Sequence, residues 1–194
     1  ASSDVAEILA RAKEGLSPSE NEVVRLFEAR GKDFDHVVVT ADTLRKTQAG
    51  DSVSYTVNRN INYTNVCYFH CKFCAFSKGK THEDLRGAPY DLDLEEISRR
   101  AKEAWARGAT EVCLQGGIHP AYTGQTYLDI CKAILDGAAG MHIHAFSPLE
   151  VWQGAATLEL ELPTFLSQLK AAGLKSLPGT AAEILDDEIR AIIC

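Results

Sequence analysis

The chain has 194 residues, 45% of them hydrophobic, which suffices for one domain with a sizeable core. Its net charge of -7 leaves no basic surface of the kind that a general nucleic-acid or anionic-membrane binder needs, so neither partner is expected. Six cysteines occur with no signal-type leader ahead of them and no apolar run of the roughly 18 residues that span a bilayer, so a cytoplasmic or other reducing soluble compartment is expected in place of a disulfide framework.

Residues 4–14 set Val5, Ile8, Leu9 and Ala12 on one helical face, and Gly15 ends that helix. Ser17-Pro18-Ser19-Glu20 reads as a capping box with proline at the first helical position, and Val23, Val24, Leu26 and Phe27 form the apolar side of the helix it opens. A third helix is predicted over residues 36–48. Together these elements make a helical lead-in over residues 1–50 without a catalytic signature. From Ser52 the pattern changes, and Val53, Tyr55 and Val57, then Ile61, predict strands, the second running into a cysteine-rich loop. A helix follows from Asp93 to about Arg107 with Leu94, Ile97, Ala101 and Trp105 inward, closed by Gly108. A strand over 111–115 ends in Gly116-Gly117, a helix spans 123–135, and a strand spans 141–146. Helices are predicted over 148–157 and 163–172, a short strand over 174–177, and a last helix over about 182–193.

Strand and helix alternate with short connections, the pattern of parallel βαβ units. The expected fold is α/β, a partial (βα) TIM-type barrel over residues 51–194. Only about four units are visible, so the barrel is expected to be truncated at its carboxyl end and to leave open strand edges. Working residues in such barrels gather at the carboxyl ends of the strands, and every distinctive motif of this chain falls there.

The most distinctive motif is Cys67-x3-Cys71-x2-Cys74. Three thiolates so close together hold an iron-sulfur cluster, and a four-iron cluster would keep one iron open for a small molecule offering its own amine and carboxylate. Zinc on Cys67, His70, Cys71 and Cys74 is the competing reading. It is crowded and lacks a distant ligand pair. Three inert buried thiols are a further alternative, against which Lys72, Lys78 and Lys80 stand nearby. Cys113 and Cys131 read as small buried apolar residues.

The cysteine loop resembles that of the radical S-adenosylmethionine (SAM) superfamily. The resemblance implies a [4Fe-4S] cluster on Cys67, Cys71 and Cys74, with SAM on the open iron cleaved to methionine and a 5'-deoxyadenosyl radical. It also implies that Gly116 and Gly117 present backbone groups to the amino end of SAM and that Phe73 lies near the adenine; each of these also has a packing explanation. Glu183 and Thr180 sit where a ribose hydroxyl or the substrate would be met, Glu183 being equally able to cap its helix. His142 and His144, alternating with Ile143, share one side of their strand and are candidate catalytic or substrate-facing residues, or satisfied core histidines. His119 either caps its turn or touches substrate.

NRNINYTNVCYFHCKFCAFSKGK, LQGGIHP, YLDI, HIHAFSPLEV and SLPGTAAEILDDEIR together resemble the FO synthase family over nearly the whole chain. That resemblance implies transfer of the 4-hydroxybenzyl group of L-tyrosine onto 5-amino-6-(D-ribitylamino)uracil in deazaflavin biosynthesis. The partners it implies are those two substrates, a reductant protein, and the second radical SAM component of FO synthase, since no second cysteine triad is present here. Two alternatives stand beside it: a futalosine-pathway radical SAM enzyme of menaquinone synthesis, and an inactive barrel fragment serving as a metal-binding scaffold. The Gly179-Thr180-Ala181-Ala182-Glu183 run favours the FO synthase family over the futalosine enzymes, which tend to carry Gly-Gly-Gly-Ala-Glu there.

Overall fold

The computed structural model describes residues 2–69, 71, 74, 88–179 and 184–193. The chain divides into two compact units, Ala1–Tyr55 and Thr56–Cys194. The first holds three helices, α1 (Ser3–Lys13), α2 (Glu20–Phe27) and α3 (Lys32–Ala49). α1 buries Val5, Ile8 and Leu9, the face that its spacing predicts. Polar contacts tie the three helices together: Arg25 pairs with Asp4 at 2.7 Å and with Asp33 at 3.1 Å, and the Ser2 N–H donates to Asp33 at 2.6 Å.

Three expectations shift here. The cap of α2 is Ser19, whose N–H donates to the Glu22 carboxylate at 2.8 Å, so Pro18 precedes the helix. Both windows, Ser17 to Glu20 and Ser19 to Glu22, carry the S-x-x-E pattern, which does not by itself choose between them. α3 begins at Lys32, four residues before its predicted start, because Gly31 at φ 55° supplies the turn into it. Val53 and Tyr55 form no strand and are 91% and 86% exposed. Alternation makes a strand only where a neighbouring strand accepts it, and pairing begins at the Val57 carbonyl, which accepts the Thr110 N–H at 2.9 Å.

The second unit is built on a four-stranded parallel sheet in the order β1 (Asn58–Asn62), β2 (Glu111–Gln115), β3 (His142–Ala145), β4 (Leu174–Ser176). Between the strands run α4 (Leu94–Ala106), α5 (Gly124–Gly137), and the pair α6 (Pro148–Thr157) and α7 (Leu162–Ala171). α8 (Asp187–Ile193) follows, starting later than the sequence predicts because residues 184–186 are not helical. Gly108 at φ 88° and Gly173 at φ 114° turn the chain out of α4 and α7 into β2 and β4, conformations that L side chains rarely adopt.

The two faces of the sheet differ in kind. Ile61, Val112, Leu114, Ile143, Ala145 and Leu174 are buried in one cluster with Ile97 and Ala101 of α4, Ile130 and Ile134 of α5, Val151 of α6 and Phe165 of α7. On the opposite face stand Asn58, Asn60 and Asn62 of β1, Glu111, Cys113 and Gln115 of β2, and His142 and His144 of β3; Ser176 of β4 joins them through an irregularity in the β3–β4 register between Ile143 and His144. A parallel sheet covered on both faces would read as continuous apolar runs. Here the helices bury one face, and the other, called the inner face below, carries polar residues and Cys113. Among the described residues no helix is long and apolar enough to cross a membrane.

Ile143 lies at the centre of that core, completely buried between β2 and β4. Ile143→Ala is expected to cost about 2–5 kcal/mol in urea denaturation. Trp152→Ala, at a position 53% exposed, is expected to stay within about 0.5 kcal/mol of the parent.

Candidate functional site

Because all four strands are parallel, the segments that follow them emerge at one end of the sheet. The segment after β1 carries the cysteines. Its first residues are held on two sides. Towards the segment preceding α4, Thr64 Oγ1 donates to the Tyr90 carbonyl at 2.8 Å, Asn65 accepts the Tyr90 N–H at 2.8 Å, and the Leu92 N–H donates to the Tyr63 carbonyl at 2.8 Å. Towards the segment after β2, the Gly117 N–H donates to the Thr64 carbonyl at 3.0 Å and the Tyr68 N–H donates to the Ile118 carbonyl at 3.1 Å.

Cys67, Cys71 and Cys74 are of intermediate exposure, and the Cys74 N–H donates to the Cys71 carbonyl at 3.3 Å. The Cys67 sulfur accepts the backbone N–H groups of Ile118 and Phe69. Burial nevertheless pushes its thiol up from the usual range, so an uncompensated thiolate is disfavoured there. Among the described residues no three side chains of His, Cys, Asp or Glu converge on one metal ion. A four-iron cluster takes each thiolate on a different iron. Donor chemistry and loop spacing therefore fit the cluster, whose iron would offset the charge that burial disfavours. His70, the fourth residue of the zinc alternative, lies outside the described residues, as do Phe73, Thr180 and Glu183.

Gly116 and Gly117 let the cysteine segment approach closely. A Cβ on Gly116 would overlap the Tyr63 ring, and one on Gly117 would overlap the Val66 carbonyl and come within 2.8 Å of Cys67 Cβ. Their N–H groups are engaged, that of Gly116 by the Glu150 carboxylate and that of Gly117 by the Thr64 carbonyl.

Glu150, Ser147 and Tyr63 were not singled out in the sequence. Ser147 caps α6 and Glu150 is its capping-box partner, a pairing written in the Ser147-Pro-Leu-Glu150 spacing. The Glu150 carboxylate is buried and accepts the Tyr63 hydroxyl, the Ser147 N–H at 2.6 Å and the Gly116 N–H. Burial holds its carboxyl above the ordinary range, while those donors pull the other way. Burial, then the Glu150 charge, likewise raises the Tyr63 hydroxyl far above its usual value. Tyr63 packs edge-on to Phe146 and stacks on Tyr122, with ring centroids 6.3 and 6.1 Å away. Phe146 turns from β3 towards α6 at φ 66°, a strained conformation for an aromatic residue, held by complete burial.

His119 stacks on Tyr122 at 4.7 Å, and its Nδ1 accepts the Ala121 N–H at 3.1 Å, closing its own turn. His142 and His144 both stand on the polar face: His142 Nε2 lies 2.8 Å and His144 Nδ1 2.7 Å from Ser176 Oγ. Cys113, expected to be a buried apolar residue, is half-buried on the same face beside His144, whereas Cys131 is buried as expected.

The pattern of the radical SAM superfamily matches residues 61–194. The chain belongs to that superfamily. Solved structures agree on the fold: the FeFe-hydrogenase maturase HydG from Carboxydothermus hydrogenoformans, 19% identical, superposes with a TM-score of 0.66 over 90% of this chain and 37% of its own. Methylornithine synthase, 16% identical, does so with a TM-score of 0.59 over 98% and 62%. Among curated relatives, a protein named FO synthase from Streptomyces avermitilis is 48% identical over 98% of this chain and 22% of its own length. A 5-amino-6-(D-ribitylamino)uracil--L-tyrosine 4-hydroxyphenyl transferase from Methanocaldococcus jannaschii is 47% identical over 91% of this chain and 48% of its own. The chain thus spans between about a fifth and a half of these relatives. Radical SAM membership implies, in general, a four-iron cluster and SAM.

Two consequences of the site geometry are measurable. Gly117→Ala is expected to displace Val66 and Cys67 and to lower bound iron and sulfide severalfold, whereas Gly179→Ala, where an added Cβ meets nothing within 4 Å, leaves both unchanged. For Glu150, a folded-state carboxyl raised above its unfolded value is a penalty absent below the unfolded pKa and progressively felt as pH rises through the folded one. Relative to the parent, Glu150→Gln should therefore gain stability as pH is raised from the acid side, read from chemical denaturation at a series of pH values.

Proposed function

We propose that this chain carries the tyrosine step of deazaflavin formation, the transfer of a 4-hydroxybenzyl group from L-tyrosine to 5-amino-6-(D-ribitylamino)uracil. The observation that carries the reading is the coincidence of two features at one end of one sheet: a three-cysteine segment seated on a double-glycine turn, and an inner face on which every residue is polar or cysteine. The names of the relatives supply the substrates, and the matched length leaves the rest of the activity to be measured.

When bound, the cluster supplies the electron that cleaves SAM to the radical which oxidises tyrosine. Cys67, Cys71 and Cys74 would be its ligands. The N–H groups of Ile118 and Phe69 stabilise the Cys67 sulfur in its anionic form. Gly116 and Gly117 would accept hydrogen bonds from the SAM amine through their carbonyl oxygens, with Phe73 against the adenine and Glu183 on the ribose. Amide and imidazole groups on the inner face, notably Asn62, Gln115 and His144, match the donors and acceptors of a uracil ring and a ribityl chain. Among the described residues Asn62 Oδ1 is buried without a hydrogen-bond partner, which leaves an acceptor for such a ligand. His119 and Thr180 would border the same space. A reductant protein and a second radical SAM component complete the proposed partners.

An anaerobic assay of the reconstituted protein with dithionite, SAM, tyrosine and the ribityl diaminouracil, followed by mass spectrometry, tests the reading. A tyrosine-derived benzyl adduct together with 5'-deoxyadenosine is expected. Deoxyadenosine without adduct under saturating substrates would overturn the substrate assignment. Cys71→Ala should lose the brown cluster absorption and deoxyadenosine formation together, and a Cys71→Ala protein still forming deoxyadenosine would remove Cys71 from the ligand set.

A further inference from the structure

The inner face holds a second arrangement that the cysteine site does not use. Ser176 Oγ stands 2.8 Å from His142 Nε2 and 2.7 Å from His144 Nδ1, and Glu111 Oε2 lies 3.8 Å from His142 Nε2. One hydroxyl thus bridges two imidazoles, and a carboxylate flanks that of His142. The strand pairing sets up this arrangement: Glu111 is opposite His142 and His144 opposite Ser176 in parallel pairs, and an irregularity in the β3–β4 register between Ile143 and His144 turns Ser176, two residues beyond the core-facing Leu174, to the histidine side.

A hydroxyl has one proton to donate, so His142 Nε2 and His144 Nδ1 cannot both be bare acceptors of it. Two arrangements satisfy both contacts in sequence, of opposite direction; the one that leaves a base facing the strand end has His144 Nδ1–H donating to Ser176 Oγ, whose O–H donates to His142 Nε2. That assignment leaves His144 Nε2 as the basic nitrogen that Ser176 does not engage. We propose that Glu111, His142, Ser176 and His144 form one proton relay on the inner face, which takes an ammonium or phenol proton from a bound substrate. The proposal deepens the tyrosine reading, on which the identity of that substrate rests.

The proton count closes. A proton arriving at His144 Nε2 makes that ring cationic; its Nδ1 proton passes to Ser176 Oγ as the serine proton passes to His142 Nε2. His144 ends neutral with its proton on Nε2, Ser176 is restored, and the positive charge rests on His142 beside the Glu111 carboxylate. The remaining titratable neighbours do not compete. Cys113, opposite His144 on β2, has its thiol pushed up by burial and by the Glu111 charge, so it stays protonated. Lys175, next to Ser176 on β4, is exposed to solvent.

The test uses the full chain labelled with 15N-histidine, together with Ser176→Ala and Ser176→Thr. In the parent, ring 15N shifts should show one bare nitrogen at the bridge and a linked, two-step titration of His142 and His144. Ser176→Ala should separate the two into independent titrations, and Ser176→Thr, which keeps the hydroxyl, should restore the linkage. Titrations identical in the parent and in Ser176→Ala would overturn the relay. During turnover with tyrosine, Ser176→Ala should slow adduct formation about tenfold to a hundredfold and shift its pH profile, with Ser176→Thr close to the parent; an unchanged rate and profile would also overturn it. Linked titration with no adduct from tyrosine would sustain the relay and overturn the tyrosine assignment, so the two failures are told apart.

Discussion

The buried carboxylate of Glu150 is the constraint on which this end of the molecule depends. It joins three strand ends at once: the Tyr63 hydroxyl just after β1, the Gly116 N–H just after β2, and the Ser147 N–H just after β3. Removing a charge from water is costly unless donors replace its hydration. Here three donors do so, and the group also sits in the first turn of α6, where unpaired backbone N–H groups favour negative charge. The residual cost appears as the raised carboxyl. What it secures is position, because the cysteine segment leaves from Tyr63 and rests against Gly117, so both its origin and its seat are set by groups that Glu150 holds or adjoins.

The second constraint is the partition of the sheet into two faces. Ile61, Leu114, Ile143 and Ala145 give the helices an apolar surface to bury, which is where stability comes from. The opposite face contributes little of that kind and carries amide, imidazole, thiol, carboxylate and hydroxyl groups side by side. A strand whose alternate residues are apolar can meet both demands, and the parallel register keeps each polar residue level with another on the next strand: Asn62 with Gln115, Cys113 with His144, His144 with Ser176. The separation lets the polar face be shaped for ligands without weakening the core.

Much of this was legible from residues alone. The βα alternation, the helix faces and the three-cysteine spacing each rest on short-range patterns, and β2, β3 and β4 each occur shortly before a glycine or proline. The expectation failed at Val53 and Tyr55, where alternation is present but no strand lies beside it; pairing is a long-range fact that local pattern does not contain. Glu150 is readable as a helix cap from the Ser147-Pro-Leu-Glu150 spacing, but that local pattern does not report that the same side chain also reaches Gly116 and Tyr63, 87 residues away in the case of Tyr63. Ser176 had no signal at all. A lone serine on a three-residue strand acquires its meaning only when the sheet sets it between two histidines. Phe73, Thr180 and Glu183 lie outside the described residues, so the structure adds nothing to what the sequence says of them.

The layout also separates two flows that radical chemistry must keep apart. The cysteine segment lies beyond the carboxyl ends of the strands, whereas His144 and then His142 lie progressively further back along β3. Two residues of strand cover about 6.6 Å, so a proton that enters at His144 and rests at His142 moves that far from the end where the cluster would sit. Its resting place is beside Glu111, the first residue of β2, whose carboxylate is a counter-charge at the far end of the face. Electrons would thus arrive from the loop side while positive charge leaves towards the opposite end of the sheet. The deposited proton is then held away from the cationic amine that the Gly116–Gly117 carbonyls would accept, which limits repulsion between the two charges.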